Sequence, residues 1–369
     1  HIGLPYDIQK HEADPSDLWA QKEHSQVPTL RSMADPDELQ RAAACLASSR
    51  HPVIFCGGGV VISGASAELD RLVTLLNAPL VTTVSGQGSL ADHHPLNCGV
   101  VGSNGGIDAT RDVVAQADLV FFIGCRVGST STEHWKVPSR QVSLIHLDVD
   151  ASTVAANYRT DVPLVGDARL SLHALNEALS EHLRHHPREQ AANGLAIAEQ
   201  ARARKWAAFA PLAASSDQPI KPERVVDALN RLLPANSILV ADPGTPCPYF
   251  SAYFHNSTVP GRHFITNRAH GALGYAMSAG VGAWFGRPEC TVVAVMGDGS
   301  FAFTCGELET IVRRQVPLKM IVFSNTVFGW IKASQKVGYQ ERYFSVDFSR
   351  TEHAKVAEAF GVKSWRVQD

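Results

Sequence analysis

An acidic residue between two glycines follows directly on an apolar run in the last third of the chain. Residues 292–296 read Val-Val-Ala-Val-Met, a β-branched run that predicts a buried strand. It leads into Gly297-Asp298-Gly299-Ser300, a helical pattern begins at Phe301, and a second apolar strand over 319–323 ends at Ser324-Asn325. Because parallel strands joined by a helix end at the same edge of a sheet, we expect Asp298 and Asn325 to lie side by side.

This strand–turn–helix–strand pattern favours a metal ion and a phosphate group at one place. Carboxylate and amide oxygens are hard ligands that suit Mg²⁺. The backbone N–H groups of Gly299, Ser300 and the start of the following helix would cradle a phosphate. A metal, an anion pocket and an α/β sheet together indicate a bound diphosphate, and therefore a cofactor.

The same residues resemble the diphosphate-binding motif of thiamine-diphosphate-dependent enzymes, in which Gly-Asp-Gly is followed some two dozen residues later by an asparagine. That motif often ends in two asparagines, whereas here the pair reads Ser324-Asn325, and the second position is the usual metal ligand. The resemblance implies that Mg²⁺ is held by Asp298, Asn325 and the backbone carbonyl of Val327. It also implies that thiamine diphosphate contacts Gly297, Gly299, Ser300 and Asn325. The alternative is a tight turn with an incidental asparagine.

A second resembling segment, from Arg268 to Ala276, precedes this motif by about one strand. It is similar to the acetolactate-synthase segment in which a glycine carbonyl meets the aminopyrimidine and a large apolar residue wedges under the thiamine. Matching by position implies Gly271 for the carbonyl and Leu273 for the wedge, which must be bulky to hold the two rings in a V shape. The alternative is a helix start of small residues packed on the sheet.

A third segment lies farther upstream, where a strand over 238–241 is followed by Asp242-Pro243-Gly244-Thr245-Pro246. In the same family this strand end also approaches the diphosphate. Thr245 is the candidate here, because its hydroxyl can donate to a phosphate oxygen. The alternative is a simple turn, which this composition favours in any protein.

Strands alternate with helices along the whole chain, which predicts an α/β protein with two doubly wound parallel-sheet domains. The resemblance makes these a Rossmann-like central domain and a thiamine-diphosphate-binding fold. We predict a connector from an absent N-terminal domain over 1–34, the central domain over 35–187, a solvent-facing helical linker over 188–219, and a diphosphate- and Mg²⁺-binding domain over 220–369, truncated at its carboxyl end. Central strands are predicted over 53–56, 80–84, 119–124, 143–148 and 163–165, with helices from Asp35 and over 65–76 and 108–117.

The central domain raises the question of a second cofactor. In some relatives this domain binds FAD, in others ADP or nothing. The Gly57-Gly58-Gly59 turn after a strand could cradle a phosphate, but it is not GxGxxG, and a tight strand–helix turn is the other interpretation. Relatives with FAD often carry Arg-Phe-Asp-Asp-Arg after a later strand. Only the first arginine matches here, at Arg126, so FAD stays an open alternative.

Composition excludes several classes of protein. The net charge of −3 and the lack of a strongly basic stretch argue against nucleic acid as a partner. No apolar run approaches the roughly 18 residues that span a bilayer, and no signal peptide is visible. The seven cysteines are scattered without a CxxC pair, which predicts free thiols in a reducing cytoplasm. The His-rich stretch 181–188 reads as a solvated helix end, with metal binding as the alternative.

The resemblance implies decarboxylation of a 2-oxo acid with carboligation or aldehyde release, in a homodimer or homotetramer. It places the catalytic glutamate in the absent N-terminal domain, so we expect this chain alone to bind Mg²⁺ and diphosphate weakly and to be inactive. Side chains on segments that could reach the substrate are His270, Phe328, Trp330, Lys332 and Gln335. Two alternatives remain: a related lyase or transferase for acyl-CoA or sulfo- or phospho-acids, using Lys332 and Lys336, or a non-catalytic nucleotide-binding module.

Overall fold

The computed structural model describes residues 1–188, 193–255, 257–267 and 270–368. Within them, the strands form two sheets, and all strand pairs in both sheets are parallel. Helices connect several of the successive strands, and turns make the other connections. The α/β class with two parallel-sheet domains is therefore confirmed.

The first sheet has six strands in the order β3-β2-β1-β4-β5-β6. Its strands are β1 Pro52–Cys56, β2 Leu80–Thr82, β3 Asn97–Val100, β4 Leu119–Ile123, β5 Ser143–Asp148 and β6 Val162–Val165. Its helices are α1 Pro36–Ser48, α2 Gly58–Ser63, α3 Ser66–Leu76, α4 Asp108–Ala115 and α5 Ala168–His185. This strand order is that of the dinucleotide-binding doubly wound fold. Strand β3 is not predicted from the sequence, since a four-residue run with Asn and Gly has no clear strand pattern.

At two places the local structure can be compared directly with the prediction. Strand β2 ends at Thr82, because the Thr83 hydroxyl accepts the N–H of Gly86 at 3.0 Å and begins a 3₁₀ turn. The predicted helix cap is present, since the Asp35 carboxylate accepts the N–H groups of Asp37 and Glu38 at the start of α1.

Both faces of the first sheet are covered. Val53 and Phe55 point into one apolar cluster, and Ile54 and Cys56 point into another on the opposite face. All four side chains are almost completely buried. This alternation, with a core on each side, is what a doubly wound parallel sheet requires.

Helix α6, Gly194–Ala213, corrects the predicted solvent-facing linker. Its Ala198 and Ala201 belong to the core of the first sheet, whereas its Phe209 belongs to a core of the second. Alanine-rich sequence hides this role, because small apolar residues look the same on an exposed helix and on one packed closely. The helix therefore ties the two sheets together.

The second sheet has four strands in the order β10-β9-β7-β8. Its strands are β7 Ile238–Ala241, β8 Phe264–Ile265, β9 Val292–Gly297 and β10 Lys319–Phe323. Its helices are α7 Pro222–Leu232, α8 Pro246–Tyr253, α9 Tyr275–Gly286, α10 Asp298–Thr304, α11 Glu307–Arg313, α12 Gly329–Gly338 and α13 His353–Ala359. The predicted glycine-flanked turn is wrong in detail, because Gly297 caps α10 and the helix begins at Asp298 itself.

The segment before α1 is exposed and contains three short 3₁₀ turns, over Ile8–Lys10, Pro15–Asp17 and Lys22–Ser25. It is anchored at its end, where Arg31 Nη1 pairs with the buried Asp167 carboxylate at 2.8 Å. No helix in the described ranges is long and apolar enough to cross a membrane.

Candidate functional site

Asp298 and Asn325 meet at the carboxyl edge of the second sheet, as predicted from their strands. β9 and β10 are parallel neighbours, with Gly297 opposite Phe323. The Asp298 side chain is 5% exposed, and its Oδ2 accepts the backbone N–H groups of Asn325 at 2.9 Å and Thr326 at 2.6 Å. The carboxylate thus fixes the loop that follows β10, in which Thr326 adopts a positive φ of 59°.

The donor set at this place fits a hard divalent cation. Asp298 Oδ1 accepts one further N–H, from Gly299 at 2.8 Å. An ionised carboxylate has about four lone-pair sites, so one remains on Oδ1 for a metal. The Val327 carbonyl accepts no hydrogen bond from any described residue, whereas Asn325 Oδ1 accepts the Val327 N–H at 3.3 Å. Three oxygens of the kind that Mg²⁺ prefers therefore belong to two segments that meet at this edge of the sheet.

One carboxylate dominates this donor set. Across the described ranges, no group of three or more His, Cys, Asp and Glu side chains is arranged to hold a metal. An ion here would be bound by one acidic side chain together with amide, backbone and non-protein oxygens. That arrangement is typical of Mg²⁺ shared with a phosphate ligand.

Asp242, at the end of β7, is the residue that sequence reasoning missed. Its side chain is 0% exposed. Oδ1 accepts the Ser300 hydroxyl at 2.9 Å, and Oδ2 accepts the N–H groups of Gly274 at 3.2 Å and Ala276 at 3.1 Å. Burial raises the pKa of this carboxyl, opposed by those same hydrogen bonds. Since the Ser300 hydroxyl is engaged by Asp242, the backbone N–H is the part of Ser300 that we still predict for phosphate binding.

The predicted ring-binding segment lies against the end of β7. Leu273 is half-buried, and its Cδ2 is 3.2 Å from the position that a Cβ on Gly244 would take. Gly271 is exposed and has a φ of 66°, a conformation that a side chain disfavours. Arg268 and Ala269 lie outside the described residues. The fold therefore brings Leu273 beside the segment that contains Thr245.

Thr245 faces the Asn325 side of the site. Its Oγ1 is 2.9 Å from the position of an added Cβ on Gly329, and Asn325 Nδ2 is 3.5 Å from the same point. The ends of β7 and β10 therefore converge on the first residue of α12. A hydrogen bond from Thr245 to a phosphate stays a prediction.

An aromatic cluster covers the start of α10. The Phe328 ring packs edge-on against Phe348, with centroids 4.3 Å apart, and stacks near Phe303 at 6.4 Å. An added Cβ on Gly299 would lie 2.5 Å from Phe328 Cε1 and 3.1 Å from Phe348 Cζ. A side chain at Gly299 would therefore collide with the cluster, which gives this glycine a structural role beside any contact with a ligand.

The other predicted substrate-facing residues have partners of their own or lie at the surface. Lys332 pairs with Asp347 at 2.7 Å, and the Gln335 amide exchanges two hydrogen bonds with the backbone of Phe344. These contacts hold the loop after α12 against that helix. Trp330 is 46% exposed and His270 is also exposed. These contacts give Lys332 and Gln335 a structural role without a substrate.

Two of the three glycines after β1 use their backbone N–H groups to bond the end of β4. The N–H of Gly57 donates to Ile123 O at 2.8 Å, and that of Gly59 donates to Gly124 O at 3.0 Å. An added Cβ on Gly57 would overlap the Gly124 carbonyl. These glycines allow the ends of β1 and β4 to approach closely, which favours the interpretation as a tight strand–helix turn.

Comparison with known proteins agrees with this geometry. Residues 39–175 match the thiamine pyrophosphate enzyme central domain, and residues 242–369 match the thiamine pyrophosphate enzyme C-terminal TPP-binding domain. The first match contains all six strands of the first sheet. The second begins at Asp242 and contains Asp298 and Asn325.

Curated relatives share both parts. A probable acetolactate synthase large subunit of Methanococcus aeolicus is 31% identical over 382 residues, covering 100% of this chain and 62% of the relative. The acetolactate synthase isozyme 3 large subunit of Escherichia coli is 27% identical, covering 98% and 62%, and the acetolactate synthase of Mycobacterium avium is 29% identical, covering 100% and 58%. The chain thus spans about three fifths of the length of these relatives. It belongs to the thiamine pyrophosphate enzyme family and is acetolactate-synthase-like in sequence.

Proposed function

We propose that this chain provides the diphosphate- and Mg²⁺-binding part of an enzyme that decarboxylates a 2-oxo acid. The enzyme then either joins the decarboxylated product to a second carbonyl compound or releases it as an aldehyde. The single observation that carries this proposal is the pairing of the buried Asp298 carboxylate with the loop of Asn325. The acetolactate synthase relatives support the 2-oxo acid as the substrate class.

The chain's own residues divide into three tasks. Asp298, Asn325 and the Val327 carbonyl would hold Mg²⁺, and Gly297, Gly299, the Ser300 N–H and Thr245 would bind the diphosphate. Gly271 and Leu273 would orient the rings, with Asp242 fixing the segment that follows them. Bound thiamine diphosphate would supply the nucleophilic carbon and the electron sink for loss of carbon dioxide.

The alternatives receive less support from the described contacts. A site for acyl-CoA or for sulfo- or phospho-acids needs available cations. Lys332 is paired with Asp347, and Lys336 lies 4.0 Å from Glu341. A non-catalytic nucleotide-binding module needs no metal site, yet Asp298 places a buried carboxylate at this edge of the sheet.

Calorimetric titration of thiamine diphosphate into the full-length protein, with and without Mg²⁺, tests the cofactor. We expect Mg²⁺-dependent binding that weakens at least about 100-fold in Asp298→Asn, because a charged ligand and its hydrogen bonds are lost. Asp227→Asn is the matched control, since Asp227 pairs with Arg231 on the surface of α7. Because Asp298 also fixes the loop, Asn325→Ala is the second variant. Binding that needs no Mg²⁺, or that survives both variants, would contradict the proposal.

Activity is read separately, as carbon dioxide released from a panel of 2-oxo acids and as acetolactate formed. The proposal includes a homodimer or homotetramer in the cytoplasm. Exposed aromatic and apolar side chains near the site support a covering subunit, among them Val337 at 88% and Phe344 at 82% exposed. Light scattering of the full-length protein measures the assembly, and a monomer would contradict that part.

A further inference from the structure

A small cavity lies at the seam between the two sheets, away from the candidate cofactor site. Its volume is about 30 Å³. Edge strand β3 and helix α6 form one side, and α8 with the two residues after it, Phe254 and His255, forms the other. Because a water needs about 10–15 Å³ by this kind of measure, the space holds roughly two waters or one small ion.

Lys205, on α6, is the charged group that faces this space. The residue is 8% exposed, and its Nζ lies 3.3 Å from the position of an added Cβ on Gly99. Aromatic rings flank the ammonium, with Nζ 5.1 Å from the centroid of Trp206 and 5.8 Å from that of Tyr253. Lys205 has no hydrogen bond or ion pair with any residue that the structure describes. A buried ammonium that makes cation–π contacts but no hydrogen bond is incompletely compensated.

Among the described residues that line the cavity, the charges sum to an excess of one positive charge. Arg202 also lines it, and the guanidinium donates to the neutral carbonyl of Pro95. The single acid in the lining is Asp92, whose Oδ2 accepts the N–H of Ser257. His255 adds no charge, because its imidazole is hydrogen-bonded to that of His93 at 2.9 Å and burial lowers its pKa to about 3.

We propose that this cavity binds one small monovalent anion, of chloride or bromide size, beside Lys205. The volume excludes a phosphate with its hydration, and the excess of one positive charge matches one negative charge. Parts of both domains line the space, since β3 belongs to the first sheet and α8 packs against the second. The bound anion therefore favours the docked arrangement of the two domains over the unfolded chain.

Thermal unfolding of the full-length protein in sodium chloride and in sodium gluconate, at equal ionic strength, tests this. We expect Tm to be about 2–4 °C higher in chloride. The difference should vanish in Lys205→Met, which keeps the length of the side chain. It should persist in Lys221→Met, since Lys221 is a surface residue paired with Asp217. Equal Tm values in the two salts for the unmodified protein, or a difference that persists in Lys205→Met, would overturn the proposal.

A second measurement does not depend on the lysine variant being folded. Bromide quenches indole fluorescence on contact, and Trp206 lies next to Lys205. Subtracting the Trp206→Phe variant isolates the Trp206 signal. We expect saturable quenching of that signal by bromide, and competition by chloride. Quenching that rises linearly without saturation, as for random collisions, would contradict a bound anion.

Discussion

The Asp242 carboxylate accepts the Ser300 hydroxyl at 2.9 Å and so joins the ends of β7 and β9, two neighbouring strands. Its other oxygen holds two N–H groups at the start of α9. The segment predicted to position the thiamine rings and the segment predicted to bind the diphosphate therefore share one buried anchor. A displacement of that anchor moves both segments together.

Asp242→Asn should weaken both the fold and the cofactor site. Asparagine offers one acceptor oxygen where the carboxylate offers two, so either the Ser300 hydroxyl or the α9 N–H groups lose their partner. An unsatisfied buried donor costs about 1–3 kcal/mol. We expect a lower Tm and thiamine diphosphate affinity reduced about tenfold, measured by scanning calorimetry and titration of the full-length protein. Asp227→Asn is the control, and unchanged Tm and affinity would contradict the anchor.

Gly299→Ala should destabilise the start of α10, because the added Cβ would lie 2.5 Å from Phe328 Cε1. The expected cost is about 1–3 kcal/mol, typical of overpacking. Adding Phe328→Leu makes room and should restore most of the lost Tm. Gly306→Ala is the matched control, since nothing lies within 4 Å of its added Cβ. A Gly299→Ala protein with the same Tm as the control would show that the cluster yields without cost.

The parts of this site that could be predicted from the sequence depend on local hydrophobic patterns and on the way parallel strands are connected. β9 and β10 are apolar runs joined by a helical pattern, so the meeting of Asp298 with Asn325 follows from parallel pairing alone. Asp242 could not be found this way. It stands between Ala241 and Pro243 in a turn-like stretch, and its partners are 58 residues away at Ser300 and 34 away at Ala276. Only tertiary packing reveals them.

Helix α6 shows the same limit on a larger scale. Its alanines indicate a helix correctly, but residue type does not say which face is covered. The burial of Ala198, Ala201 and Phe209 can be explained only once the structure shows that the helix packs against the cores of both sheets. For the same reason, the buried Lys205 reads in sequence as one more solvent-facing cation.

Gly297→Ala separates folding from ligand binding. Nothing lies within 4 Å of an added Cβ at Gly297, and its φ of −84° suits any residue. We therefore expect a Tm within about 2 °C of the unmodified protein, since a surface change away from such contacts is worth about 0.5 kcal/mol. Thiamine diphosphate affinity should fall about tenfold or more if the cofactor packs against this residue. Affinity equal to that of the unmodified protein would remove Gly297 from the cofactor-binding set.

His255 should make the domain seam sensitive to acid. Burial first, and then the positive charges of Lys205 and Arg202, lower its pKa from 6.5 to about 3. Because the folded-state pKa is the lower one, the unfolded state binds more protons between pH 3 and 6.5, and stability is lost as the pH falls through that window. His255→Gln does not titrate, so its stability should fall less steeply.

The measurement is the free energy of unfolding in urea between pH 7 and pH 4.5 for the two proteins. The difference in slope should stay below about 1.4 kcal/mol per pH unit, since the side chain is partly solvated. His11→Gln, on the exposed first segment, is the control and should follow the unmodified protein. Parallel curves for the unmodified protein and His255→Gln would exclude His255 as the acid-sensitive group.

Lys205 should make the free energy of unfolding depend on pH in the alkaline range. Burial lowers its pKa from 10.5 to about 8, while Asp92 and Cys98 oppose the shift. The unfolded state therefore binds more protons between pH 8 and 10.5, so this group makes the protein more stable as the pH rises through that window.

In gluconate at pH 7, Lys205→Met should be more stable than the unmodified protein by up to about 3 kcal/mol, because the cost of the buried charge is removed. The gain should shrink toward zero as the pH approaches 10.5. Urea unfolding at pH 7 and at pH 10 measures both values, and a variant that is less stable at pH 7 would mean that the ammonium is stabilised where it lies.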